Sequence, residues 1–125
     1  MEGSQVIRAS TQAELRAISE LLHDHWIPLD AIVFDSGRAE LTIGVWTTPE
    51  GRVMRAPSEL LGQLVIRNVS AWSSADSQGI NTYDVQSIEY TERAATLSVL
   101  FNIPATLRVA VESLDVSWDA APFQA

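Results

Sequence analysis

Residues 14–28 read ELRAISELLHDHWIP, and how far the helical pattern in them extends decides the fold. Leu15, Ile18, Leu22 and Trp26 recur at steps of three and four, which places them on one helical stripe. Glu14, Arg16, Glu20 and Asp24 lie off that stripe. Thr11, three residues before Glu14, supplies the start signal of a capping box. Pro28 ends the pattern and biases Ile27 toward extended backbone. The spacing therefore predicts one amphipathic helix running to about His25, with Trp26 in the core.

Everything after Pro28 reads as β structure. Ala31–Phe34 is a short strand and residues 35–38 a turn, followed by Leu41, Ile43 and Val45 in alternation with Thr42, Gly44 and Trp46. Residues 47–62 form a loop punctuated by Pro49, Gly51 and Pro57, with a helical turn at residues 58–61. Residues 64–69 are apolar on both phases and read as a central strand, and residues 73–79 as a polar loop. Two later strands slip phase. Large residues stand at 83 and 85, then at 88 and 90. They stand at 107, 109 and 111, then at 114, 116 and 118. A strand of period two needs an inserted residue to hold both sets on one face, so bulges or bends are expected near Gln86–Ser87 and Glu112–Ser113. Between them, residues 95–101 alternate cleanly. Bulges curl a sheet, and the helix is available to fill its concave side. The expectation is a single α+β domain over residues 1–125. One N-terminal helix packs on a curled, mostly antiparallel sheet of about six strands, largely in meander order. Loose ends are expected at about 1–5 and 120–125.

Composition removes several chemistries. The chain of 125 residues has no cysteine and no lysine, so thiolate metal sites, disulfides, Schiff bases and lysine phosphate loops are excluded. Sixteen acids against eight arginines give a net charge of −8. That charge repels phosphate backbones and anionic membranes and favours a basic protein as partner. The first ten residues lack a charged-then-apolar leader and no apolar run approaches a bilayer span, so a cytoplasmic protein is expected. An open edge of the sheet offers a route to a homodimer.

His23 and His25 raise the question of a metal or catalytic site. On a helix they point ~160° apart, whereas zinc pairs need spacing of three or four. Two histidines also fall short of a three-histidine centre. The simpler reading is that His25 and Asp24 close the last helical turn, where a histidine suits the dipole, and that Asp30 begins the next segment. No metal and no cofactor are expected. Glu89 with Glu92, and Asp115 with Asp119, read as solvated faces rather than catalytic pairs. Trp46, out of phase with its strand's core set, and Trp72, before a polar loop, point to a binding surface that would include Tyr83. Residues 20–43, ELLHDHWIPLDAIVFDSGRAELTI, resemble the start of small bacterial proteins of unknown function that share a helix with an HDxW-like end and a hairpin. That resemblance implies no catalytic residue.

The leading functional expectation is a non-enzymatic, acidic protein-interaction domain with an immunity-like or assembly role. Its binding residues would be Trp46, Trp72, Tyr83, His23 and His25. The alternatives are a small-molecule binder with its ligand between helix and sheet, and a hydrolase or metal-binding protein using His23 and His25.

Overall fold

The computed structural model describes residues 6–47 and 59–120. The expected loose ends at 1–5 and 121–125 lie outside these residues, as do most of the 47–62 loop and Ser58 of its helical turn. Of that turn, Leu60 and Leu61 belong instead to a strand. Ala120 ends a strand rather than opening a tail.

Among the described residues, one α-helix, α1 (Gln12–Leu22), and a 3-10 turn (Leu29–Ala31) accompany ten strands. These are β1 (Val6–Ala9), β2 (Trp26–Pro28), β3 (Val33–Asp35), β4 (Glu40–Trp46), β5 (Leu60–Ile66), β6 (Val69–Ala75), β7 (Thr82–Thr91), β8 (Thr96–Phe101), β9 (Thr106–Val111) and β10 (Val116–Ala120). The class is α+β with every pairing antiparallel, but the count is ten and not about six. Two causes account for the excess. The long run 107–118 breaks at a bend into β9 and β10. β1 and β2, of four and three residues, and β6, made largely of small polar residues, show no apolar period, whereas the strand expected at 31–34 is present as β3 at Val33–Asp35.

The pairing order is β1-β10-β5-β4-β2-β7-β8-β9-β6, with β3 on β4. Only part of it is the expected meander: β7-β8-β9 and β3-β4-β5. The rest folds the sheet back on itself, with β1 and β6 left as the two ends of the path. β5 leads into β6 through Arg67 and Asn68, and β9 leads into β10 through residues 112–115. The bend itself is bonded, with Arg67 N–H donating to Asp115 O (2.9 Å) and Glu112 N–H to Asn68 O (2.9 Å). The ring β5-β4-β2-β7-β8-β9 thus returns through β10 to β5. Strands that switch sheets make the corners of orthogonal β packings in this way.

Both phase slips lie where the residue pattern puts them. The β7–β8 register shifts between Val85 and Ser87, and Leu107, Val109 and Val111 continue to Leu114, Val116 and Trp118 across the bend, all buried. One core results, formed by the inner faces of the ring and by Leu15, Ile18 and Leu22 of the helix, each fully buried.

The helix starts as its capping signal predicts. Thr11 Oγ1 accepts from Glu14 N–H (3.1 Å), while the Glu14 carboxylate reaches back to Ser10 N–H (2.8 Å). That bond from the Ser10 backbone holds the Glu14 carboxyl below its ordinary range. The helix stops at Leu22, three residues before the expected end, because Asp24 turns to φ +69°. Asp24 N–H then donates to Val85 O (2.7 Å), and Val85 N–H to His25 O (2.8 Å), so the chain is already pairing with β7.

What the helix does next positions the site. β2 covers only Thr82–Asp84 of β7. The half of β7 beyond that point would be an open edge, and side chains of α1 close it. His23 Nδ1 donates to Gln86 O (2.9 Å), Ser19 Oγ accepts from Ile88 N–H (2.9 Å), and Gln12 Oε1 accepts from Tyr90 N–H (3.0 Å). Helical positions 12, 19 and 23 fall within about 40° of one another. Four helical residues rise ~6 Å, close to the ~6.7 Å between alternate strand residues. The helix therefore carries two adjacent stripes. The apolar one enters the core, and the polar one stands in for a missing strand. β1, paired with β10, borders the helix on its other side.

Candidate functional site

The two histidines do not converge. His23 has its Nδ1 proton committed to Gln86 O, with Nε2 3.5 Å from Asp24 Oδ2. His25 lies opposite Val85, which places it on the inward side of the ribbon. Its Nδ1 is buried without a hydrogen-bond partner among the described residues. No group of three or more histidines and carboxylates among the described residues is disposed to hold a metal ion. His23 serves the fold.

Trp26 is not in the core. Register pairs it with Trp46 on one side and Asp84 on the other. Ile27, Val45 and Val85, the neighbours in sequence of these three, are fully buried. Trp26, Trp46 and Asp84 therefore share the outer face. Helical phase assigned Trp26 to the apolar stripe, but once the helix ends at Leu22 strand alternation turns it outward.

The same row continues onto Asn102. Its N–H donates to Asp84 O (3.1 Å), and its Nδ2 donates to the Asp84 carboxylate and lies 3.4 Å from Asp24 Oδ1. Across β4, β2, β7 and the end of β8, the outer face thus reads Trp46–Trp26–Asp84–Asn102, with Asp24 beside it. Both tryptophans are half-buried, and Asp24 and Asn102 are exposed. The next row on this face is Gly44–Gln63–Asp119. Trp46 lies beside Gly44, with its Nε1 3.6 Å from where a Cβ would stand, an ordinary contact distance. Two polar atoms on the face, Trp26 Nε1 and Asp119 Oδ1, are buried without a hydrogen-bond partner among the described residues. Buried polar groups are ordinarily paired, so these two atoms stand out against the rest of the face.

The face is acidic by arrangement. Arg67, round the bend, is held by Glu40 (3.6 Å), Asp115 (3.5 Å) and Ser117 Oγ (3.1 Å). Arg38 also lies against Glu40 (4.0 Å). Neither row contains a cation.

Trp72 and Tyr83 do not join Trp46 as expected. Trp72 is opposite Val109 on β6, half-buried at the core rim, and β6 and β4 lie far apart in the pairing order. Tyr83 is buried, 1% exposed, with its ring 5.6 Å from Phe101. Its hydroxyl donates to Asp76, whose carboxylate also accepts from Ile80 N–H and Asn81 N–H (3.1 and 3.0 Å). The Tyr83 bond holds the Asp76 carboxyl below its ordinary range. Burial, then the Asp76 contact, pushes the Tyr83 hydroxyl up. Tyr83 is a clasp on the 76–81 loop, and it offers no surface. The space between helix and sheet that a small ligand would need is filled by Leu15, Ile18 and Leu22. An open groove runs along the flank, lined by Gln12, Arg16 and Ser19 opposite residues 87–90.

Asp84, Asn102 and Trp26 were missed from sequence. Asp84 stands between the apolar positions 83 and 85, so alternation already places it outside. Its meeting with Asn102 and Trp26 depends on register, which residue patterns do not give.

No family model matches the chain, and no curated protein matches it. Among solved structures it is similar to an uncharacterized protein from Neisseria gonorrhoeae, at 13% identity and a TM-score of 0.49, over 92% of this chain and 97% of that one. That likeness assigns no role to any residue. No helix among the described residues is long and apolar enough to cross a membrane.

Proposed function

We propose that this chain is a non-enzymatic interaction domain that receives a basic protein segment on the outer face of β4, β2, β7 and β8. The observation that carries the reading is the in-register row Trp46–Trp26–Asp84–Asn102, flanked by Asp24. Indole faces attract guanidinium and ammonium groups, and neighbouring carboxylates add directional hydrogen bonds to them. Arginine suits such a surface best, because it stacks and bonds with one group. The net charge of −8 steers a basic partner toward the face over a longer range. Masking a basic protein, as an immunity or assembly factor does, is the concrete form of this role.

The test is a titration with an arginine-rich peptide at low and at physiological salt, followed by intrinsic tryptophan fluorescence. Asp84→Asn and Trp46→Ala are each expected to weaken binding about tenfold, within the range of a desolvated cation–π contact or a broken charge pair. Raising salt is expected to weaken the native protein more than Asp84→Asn. A peptide with glutamate in place of arginine is expected not to bind. Arginine-peptide binding that neither substitution changes would remove this face as the site.

A further inference from the structure

The far end of the sheet carries a second surface, different in chemistry from the acidic row. β6 is the last strand in the pairing order, bonded to β9 on one side and to no strand on the other among the described residues. Its first residue is tied down, with Val69 N–H donating to Ala39 O (2.9 Å). Beyond a bulge at Ser70, residues 71–75 pair regularly with β9 and leave one edge open. All are exposed except Trp72, which is half-buried.

Open edges of this length are ordinarily guarded by charge, proline or a covering loop. This one reads VSAWSSA and carries no charge and no proline. Asp76 is the sole charged residue between Arg67 and Asp84, in a chain that is 19% charged. The opposite edge, β1, differs: it contains Arg8 and is bordered by α1.

We infer that β6 is a self-pairing edge, and that its occupant is β6 of a second copy, joined antiparallel about a two-fold axis at Trp72. The geometry is self-complementary, as a two-fold interface requires. Pairing about residue 72 sets Ala71 opposite Ser73, Ser73 opposite Ala71 and Trp72 opposite its own copy, and the bulge at Ser70 with the Val69–Ala39 bond ends the pairing on that side. Every pair is uncharged, and the inner and outer faces of the two sheets stay continuous. The small residues let the backbones approach, and the central pair is aromatic on aromatic, a favourable cross-strand combination. Charge excludes other self-encounters: two copies at −8 repel, and repulsion is least where the surface carries no charge. A basic partner has no reason to prefer this edge, because no carboxylate faces it along residues 69–75.

Sedimentation velocity over a range of protein concentration tests the inference. The native chain is expected to show a dimer fraction that grows with concentration and with salt, since salt screens repulsion between the copies. The sign is opposite to that expected for basic-peptide capture, so failure of one proposal is distinguishable from failure of the other. Ala71→Glu with Ser73→Glu sets carboxylate directly opposite carboxylate twice and is expected to weaken the dimer about tenfold. Ser36→Glu with Ala94→Glu adds the same charge in exposed turns and is expected to leave far more dimer. A thermal melt confirms that each variant folds. A monomer at every concentration and salt would overturn the inference, as would a dimer that the edge pair weakens no more than the turn pair.

Discussion

Gly62→Ala is expected to destabilise the protein by about 3 kcal/mol, at the upper end of the cost of overpacking a core. A Cβ at this position would stand 2.6 Å from Trp118 Cζ2, 2.7 Å from Cη2 and 2.6 Å from the backbone oxygen of Asp119. The indole of Trp118 lies over Gly62 because β10 pairs with β5 in the register Trp118↔Leu64 and Ala120↔Gly62. Neither obstacle is the free end of a flexible chain, for Trp118 is 1% exposed and the oxygen belongs to the ladder. Chemical denaturation of Gly62→Ala, Trp118→Phe and the double variant separates the two obstacles. Phenylalanine removes the overlapping ring atoms, so the double variant is expected to cost less than the sum of the singles. Strictly additive costs would show that the ring is not the obstruction.

Ile18→Ala is expected to cost about 2–5 kcal/mol, the range for removing a large aliphatic side chain from a packed interior. Ile18 is fully buried at the centre of the apolar stripe, between Leu15 and Leu22. The loss has a second consequence. The polar stripe of α1 reaches Gln86, Ile88 and Tyr90 only while the apolar stripe is seated. Loosening the helix therefore exposes the unpaired half of β7 and frees His23. Urea titration gives the stability. A cost near zero would mean that the helix does not contribute to the core.

The elements that were legible in the residues are those whose signal is local. The capping pair Thr11 and Glu14, the Leu15–Ile18–Leu22 stripe and both phase slips depend on spacing along one segment. The end of the helix was not legible, because Trp26 satisfies the helical spacing from Leu22 and the strand that claims it is three residues long. β1 and β6 were hidden by brevity and by small polar residues respectively. The polar stripe Gln12–Ser19–His23 can be seen on a helical wheel. Its meaning appears only when the open half of β7 is placed beside it. The metal reading of His23 and His25 is absent from the geometry for the same reason: one ring is occupied by a strand backbone and the other turns inward. Trp46 was legible as an off-phase aromatic, but its neighbours in the row come from register between strands distant in sequence. Tyr83 shares its phase with Val85 and Ile27, and that alternation points inward, where the structure places it.

Docking of α1 along β7 is the premise beneath both the placement of the histidines and the outward turn of Trp26. Amide hydrogen exchange read residue by residue tests it most directly. Ile88 and Tyr90 N–H are expected to exchange as slowly as interior ladder amides such as Val99 and Val109, and Ser19→Ala is expected to release Ile88 selectively. Fast exchange at Ile88 and Tyr90 in the native protein, as at an unpaired edge, would contradict it.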